Sequence, residues 1–406
     1  MNAIRSYVIG LGSYSPAFWM LCIHTFIFMI SFNMLIPELN EYITTLGHPE
    51  LKWLNIGLWT IAAAISRPLS GKIADNVSRK SVMFIGVIIS IIISFMYPIF
   101  STLTGFLILR FLHGFSTGFQ PTGASALVAD LIPKGRRGEA MGIFGVMFTL
   151  GFSLGQGLGS TVKMELGMDG LFMTCGVLGI IPFFLLLLVK EDKSIVRENA
   201  RQQGYVTLSQ KIIPKAQEIF GPEVLKPTFV MFLTASLAGM YFLLIPDLSD
   251  HLGFDNKGGF WLVYVGFTII TRLVAGKTTD KFGARNNLIV CCSILVVASF
   301  LIGNATNAWQ FNLAALIYGI GSGIGSPALF SWAADLANPL YKGRGMGTLF
   351  IALELGILFG GFLAQTIYNN NPENFDAAFM TGGALCLIGL IFLILVGNGK
   401  QSEPIN

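Results

Sequence analysis

The decapeptide Ser66–Asp75, SRPLSGKIAD, closes a long apolar run, and 205 residues later Thr271–Asp280, TRLVAGKTTD, closes another. Arg67, Gly71, Lys72 and Asp75 align with Arg272, Gly276, Lys277 and Asp280 at that single offset. The register holds without a gap from Arg67 to Gly155. Gly114 and Gly118 fall on Gly319 and Gly323, ADL at Ala129–Leu131 falls on ADL at Ala334–Leu336, and Gly151 and Gly155 fall on Gly356 and Gly360. Upstream, LIPEL at Leu35–Leu39 pairs with LIPDL at Leu244–Leu248 at an offset of 209. A chain written this way folds as two like halves.

Only 12% of the 406 residues are charged and 53% are hydrophobic, where a soluble domain carries about 25% charged residues. Most of the surface therefore faces lipid. A helix needs about 20 mainly apolar residues to cross a bilayer, and such runs recur at 17–37, 54–73, 80–100, 103–128, 139–161, 170–189, 228–248, 259–277, 287–304, 310–334, 345–367 and 376–397. The runs are continuous rather than alternating, which excludes an outer-membrane barrel. The expected fold is all-α: twelve transmembrane helices in two pseudo-symmetric six-helix bundles of the same orientation, residues 1–190 and 228–406. Residues 191–227 between them form the only long polar stretch, read as a linker with a short amphipathic helix.

With the N-terminus placed in the cytoplasm, 22 of the 26 Lys and Arg fall on that side or at its helix ends. This asymmetry predicts both termini inside a plasma (inner) membrane. The first residues have no convincing cleavage site, so the first span is expected to be retained after a short interfacial segment. The five cysteines, Cys22, Cys175, Cys291, Cys292 and Cys386, fall within spans and read as packing residues rather than disulfide or metal partners.

GKIADNVSRK at Gly71–Lys80 resembles the loop signature G-x-x-x-D-R-x-G-R-[RK] of the major facilitator superfamily, with Asn76 and Ser78 as departures. The second copy, GKTTDKFGAR, keeps Gly276, Asp280, Gly283 and Arg285. With the span count and the central linker, the resemblance covers essentially the whole chain. It implies a transporter whose halves alternate access to a midplane cavity. It also implies a conformational latch at Gly71, Asp75, Arg79 and Lys80, mirrored by Gly276, Asp280 and Arg285. Asp75 is expected near the positive end of the eleventh helix around Gly345.

The fifth span is similar to the G-x8-G-x3-G-P-x2-G-G pattern of facilitator antiporters. Gly142, Gly151, Gly155 and Gly159 keep its spacing, while Gln156 replaces the proline and Ser160 the last glycine. These glycines are expected to pack the two halves together. RFLHGFSTG, beginning at Arg110, is similar to the family's fourth-helix motif, where an arginine is associated with proton transfer. An arginine does not release its proton, so Arg110 would act on a neighbouring acid or bind an anion, or else snorkel to the interface.

Ionisable groups inside spans are functional candidates by default. Glu354, about ten residues into the eleventh span, is the first choice for a protonatable site; its duplicate is Thr149. A structural hydrogen bond is the competing role. His24 and His113 titrate near neutral pH when free, and both compete with a structural reading. Asn33, Gln120, Gln156, Tyr241 and Gln365 are candidates for polar contacts in the cavity.

No phosphate-binding loop, zinc-protease motif or paired CxxC is present, and GIGSGIGS at Gly319–Ser326 sits inside a hydrophobic span as a helix-packing stretch. The expectation is a transporter, not an enzyme, without cofactor, metal or nucleic-acid partner. It would act as a monomer in the lipid bilayer, exporting a small molecule with protons as the coupling ion. Proton-coupled import of a nutrient is the main alternative, followed by a lipid or siderophore-type carrier or a non-transporting receptor.

Overall fold

The computed structural model describes residues 14–132, 137–215, 219–337 and 342–396, with backbone alone at 137–139, 273–281 and 342–344. These residues form fourteen α-helices. In the first half they are α1 (Pro16–Asn33), α2 (Leu39–Thr45), α3 (Lys52–Asn76), α4 (Arg79–Met96), α5 (Leu103–Leu131) and α6 (Arg137–Leu188). The linker holds α7 (Lys193–Gln202) and α8 (Leu208–Ile212). The second half holds α9 (Leu225–His251), α10 (Gly259–Phe282), α11 (Ala284–Gly303), α12 (Ala308–Leu336), α13 (Lys342–Tyr368) and α14 (Phe375–Leu395).

Eight of these helices are long and apolar enough to cross a membrane, one of them the 49-residue stretch Ala140–Leu188. That stretch makes two passages, because Gly167 takes φ 71° and ψ −177° within it, a conformation open only to glycine. The expected loop between the fifth and sixth spans is thus a kink in one helix. The passages that complete twelve run through α3, α5 and α10. These are long enough at 25, 29 and 24 residues but more polar, carrying Arg67, Arg110 and Arg272 respectively. Lipid-facing residues such as Ile65, Phe184 and Leu395 are exposed.

The first span differs most from expectation. Helix α1 ends at Asn33, the chain turns through residues 34–38 around Pro37, and α2 resumes at Leu39. Proline supplies no backbone donor and disfavours a helical residue before it, which accounts for the break.

Inside each half the same packing recurs: α1 lies on α6 as α9 lies on α13, and α3 lies on α5 as α10 lies on α12. Equivalent ends are capped alike. Thr102 accepts from the Gly105 amide at the start of α5, and Asn307, 205 residues on, accepts from the Gln310 amide at the start of α12. Linker helix α7 buries Val196 and Ala200, one turn apart, and is capped by Asp192, giving the amphipathic helix expected there. The interfacial segment expected before residue 14 lies outside the described residues.

Candidate functional site

The halves meet along two seams, α3 against α13 and α10 against α6. Two polar layers cross them. One lies toward the end that carries the linker, the other at the far end.

The layer nearer the linker is built twice. On the first seam Arg67 donates from Nε to Glu354 Oε1 at 2.9 Å and from Nη2 at 2.5 Å. Its guanidinium also rests 4.5 Å from the centroid of the Phe350 ring. Glu354 is 4% exposed. On the second seam Arg272 donates from Nη1 to the Thr149 hydroxyl at 2.7 Å and faces the Gly145 carbonyl at 3.5 Å. Arg272 is the 205-residue repeat of Arg67, and Glu354 is the repeat of Thr149. The two contacts are therefore one contact related by the internal symmetry, ionic on one seam and neutral on the other. An ion pair out of water is held only when geometry and hydrogen bonds repay its desolvation, and the two-donor grip of Arg67 meets that demand.

The far-end layer is mainly ionic. Lys52 pairs with Asp247 at 2.5 Å, Asn40 donates to the Leu243 carbonyl at 2.7 Å, and Lys257 reaches Glu41 across the halves. Lys163 braces Glu41 and Glu38 from α6 at 2.5 and 3.1 Å, and Lys257 also pairs with Asp250 at 2.7 Å. Glu38, Glu41, Lys163, Asp250 and Lys257 edge a polar pocket of about 320 Å³. Burial pushes the Glu41 carboxyl up, but its two lysines outweigh that and hold it below its ordinary value. Burial likewise pulls Lys257 down, and Asp250 and Glu41 more than restore it. Both layers are engaged in this structure.

Between the layers the halves share one aromatic core. In the first half Phe32 lies 5.3 Å from Trp59 and 4.7 Å from the His113 ring. In the second, Tyr318 lies 4.2 Å from Tyr241 and 5.4 Å from Tyr264. Phe32, Trp59 and His113 are the repeat equivalents of Tyr241, Tyr264 and Tyr318, at offsets of 209, 205 and 205. Phe242 bridges them, 6.4 Å from Trp59 and 5.2 Å from Trp261. Arg110 stands behind the first triad, fully buried, 5.9 Å from Phe32 and 6.0 Å from Trp59. Its Nε donates to the Asn55 carbonyl at 3.3 Å, its guanidinium lies beside the Tyr97 hydroxyl, and among the described residues no acid pairs with it. The snorkelling role considered for Arg110 is excluded by this burial. On α6, Gln156 is fully buried with neither amide atom bonded, and Ser153 Oγ and Trp261 Nε1 are likewise unbonded. Gln156 lies one turn from both Phe152, which touches Trp261, and Ser160, which contacts Gly258.

Other sequence candidates fall elsewhere. His24 sits between α1 and α6 with Nδ1 at 2.9 Å from the Pro182 carbonyl. His113 has a partner on each nitrogen, the Ser90 hydroxyl at 3.1 Å and the Tyr97 hydroxyl at 3.2 Å. Asn33 donates to its own helix at Met29 O, 2.8 Å, and packs on Gly155. Gln120 reaches Thr25 at 3.4 Å inside the first half. Gln365 is buried with Oε1 unbonded.

The glycine stripe needs correction. A Cβ on Gly151, Gly155 or Gly159 would lie 2.4, 2.7 or 2.0 Å from the carbonyls of Phe26, Ile30 and Met34, so these glycines seat α6 on α1 within the first half, not between halves. Gly142 faces open space. The seam between halves is approached instead by Gly157, opposite Leu262.

The loop signature also ties elements within a half. Lys80 donates to the carbonyls of Leu187 and Val189 at 3.2 and 2.6 Å, and Arg285, its repeat, donates to those of Leu393 and Ile394 at 2.7 and 3.1 Å. Each clips the third helix of its half to the carbonyl end of the sixth, where a cation is favoured. Arg79 pairs with Asp130 at 2.8 Å. Glu191 of the linker accepts from the Ser78 hydroxyl and the Arg79 amide at 2.5 and 2.6 Å. Asp75 is exposed, its carbonyl accepting from Asn199 of α7 at 3.5 Å. The expected approach of Asp75 to the start of α13 is not among the described contacts; Gly345 there neighbours Ala337, Val224 and Gly221. Gly71 faces open space, and the side-chain positions of Gly276 and Asp280 lie outside the described residues.

Two duplicated bundles in lipid, touching through two polar layers around a shared core, define a carrier that opens to one side at a time. The family profile of the Major Facilitator Superfamily matches residues 21–271 and 258–406, and the chain belongs to that superfamily. It is 26% identical over 385 residues to an uncharacterized MFS-type transporter of Methanocaldococcus jannaschii, covering 91% of this chain and 96% of the other. It is 23% identical over 386 residues to the quinolone resistance protein NorA of Staphylococcus aureus, covering 93% and 95%. In fold it is similar to the human organic anion transporter MFSD10, with a TM-score of 0.69 at 19% identity over 93% of this chain and 100% of that one. The protein is a membrane transporter; its relatives are transporters, not enzymes.

Proposed function

We propose that this transporter exports a small organic solute in exchange for protons, with Arg67 and Glu354 as the proton-operated clasp. One observation carries the reading: among the described residues a single acid stands in the layer nearer the linker, buried on the seam between halves, and its ionic tie to Arg67 crosses that seam. Similarity to a quinolone resistance protein supports export. The distribution of Lys and Arg supports a linker end facing the cytoplasm in the plasma membrane. We assign the rocking units to residues 1–190 and 228–406, joined by 191–227, working as a monomer.

In this cycle the charged pair closes the cytoplasmic side while the far side opens. A proton arriving from outside neutralises Glu354 and abolishes the ion pair, leaving the Arg67 guanidinium against an uncharged carboxyl that accepts its hydrogen bonds more weakly. The far-end ion pairs then take over the joint, the cytoplasmic side opens, and the proton leaves inward. Solute binding between the aromatic triads and re-formation of the clasp return the carrier outward. Lys80 and Arg285 keep each bundle rigid as it moves, and the loop around Asp75 and Arg79 couples the first bundle to the linker.

Proteoliposomes with an imposed pH gradient test this. Solute should move against the proton flow, and Glu354→Gln should abolish gradient-driven movement while sparing solute exchange. Movement of solute with the protons, or full coupling in the Gln variant, overturns the reading.

A further inference from the structure

The charges of the layer nearer the linker and of the core beside it do not balance. Among the described residues three arginines stand there, Arg67, Arg110 and Arg272, against one carboxylate, Glu354. Glu354 answers Arg67 alone. Among the described residues Arg272 has a hydroxyl and a carbonyl as partners, and its Nε has none. Arg110 has one backbone carbonyl, two aromatic faces and the Tyr97 hydroxyl beside it, and among the described residues no acid answers it, at zero exposure. A buried cation without a counter-charge is costly, and such a group pairs where it can. Guanidinium presents the planar fork that matches a carboxylate or sulfonate. The rings around Arg110 offer flat faces and almost no competing acceptors, and the unbonded Gln156 amide and Trp261 Nε1 add neutral polar contacts.

We propose that the site between the triads takes organic anions: a flat aromatic body stacked between Trp59, Phe242 and Trp261, with a carboxylate or sulfonate received by Arg110. This rests on the transporter reading above and names its substrate class. It does not require the proton and the anion to share a residue. The proton acts on Glu354 at the clasp, the anion on Arg110 behind the rings, and the two are linked through which side is open.

Trp59 and Trp261 report binding directly. In lipid nanodiscs holding the full chain, tryptophan quenching is titrated with 2-naphthoate, 2-naphthamide and 2-naphthylmethylammonium. These share one ring system and differ in charge. The naphthoate should bind at least about tenfold tighter than the amide, and the ammonium weakest. Arg110→Gln should erase the difference between naphthoate and amide, while Arg110→Lys keeps most of it. Should the Gln variant fail to fold, the order of the three ligands on the native protein still decides. Equal binding of acid and amide, preference for the ammonium, or an unchanged preference in a folded Gln variant overturns the proposal. No proton gradient enters this measurement, so failure of proton-driven export and failure of anion selectivity are separable.

Discussion

Arg67 holds the Glu354 carboxylate across one seam between the halves, at 2.5 Å. The repeat of that contact, Arg272 on the Thr149 hydroxyl at 2.7 Å, holds the other. The chain has kept both arginines and made only one of the two acceptors ionisable. A pseudo-symmetric joint thereby acquires one proton-sensitive side.

The asymmetry should be portable. Glu354→Thr alone removes the acid and should abolish pH-driven transport in proteoliposomes. Adding Thr149→Glu places the acid on the other seam, opposite Arg272, and should restore a substantial part of it. A double variant as inert as the single one would show that the Arg67 seam has a property its repeat lacks.

At the far end, Lys52 and Asp247 are 10% and 9% exposed at their side chains. Removing one partner strands the other, at a cost of about 3–5 kcal/mol for a buried pair. Lys52→Met should therefore lower the unfolding midpoint in detergent clearly, and Lys52→Met with Asp247→Leu should recover most of the loss. Additive losses in the double variant would mean that the two charges do not stabilise each other.

The Glu41–Lys257 tie at the far end should be indifferent to pH across the physiological range. Glu41 has its carboxyl held below the ordinary 4.5, so its contribution is present above that value and lost only as pH falls through the lower one. Lys257 is held above the ordinary 10.5, so its contribution is complete below that value and lost as pH rises beyond it. In a Glu354→Gln background, where the clasp no longer titrates, spin labels placed on the loops at residues 46 and 254 should report one unchanged distance from about pH 5 to pH 9. A distance change near neutrality would place a proton sensor at this end.

Three glycines divide cleanly by what a methyl group would meet. At Gly159 a Cβ would lie 2.0 Å from the Met34 carbonyl, and at Gly360 1.8 Å from that of Ser236. Alanine at either should destabilise by about 1–3 kcal/mol. At Gly142 nothing lies within 4 Å, and alanine there should be neutral or stabilising by up to about 1 kcal/mol. Thermal melts of the three variants in one detergent check this; a loss at Gly142 matching that at Gly159 would contradict the packing described.

The duplicated architecture is legible in sequence because lipid demands long apolar helices, and because ADL, the glycines and the capping position at Thr102 and Asn307 recur at one offset. Glu354 reads from sequence as an acid at membrane depth, and the structure buries it, but its partner is not legible there. Arg67 stands in the repeated decapeptide, and only three-dimensional packing shows that it faces the other half. The signal was available, since the offset joining Arg67 to Arg272 also joins Thr149 to Glu354. The glycine stripe of α6 misled because small residues mark close packing without saying against which neighbour. The far-end charges at Glu41 and Lys257 lie outside the apolar runs, where no periodicity points to them.

The central claim is that Glu354 holds the linker end closed by its charge. In a background without the five native cysteines, spin labels at Ile73→Cys on α3 and Gly347→Cys on α13 give the separation of the halves there. The account predicts a short distance at alkaline pH, a growing long-distance population on acidification, and the long distance at every pH in Glu354→Gln. A Gln variant that stays closed and follows pH like the native protein would contradict it.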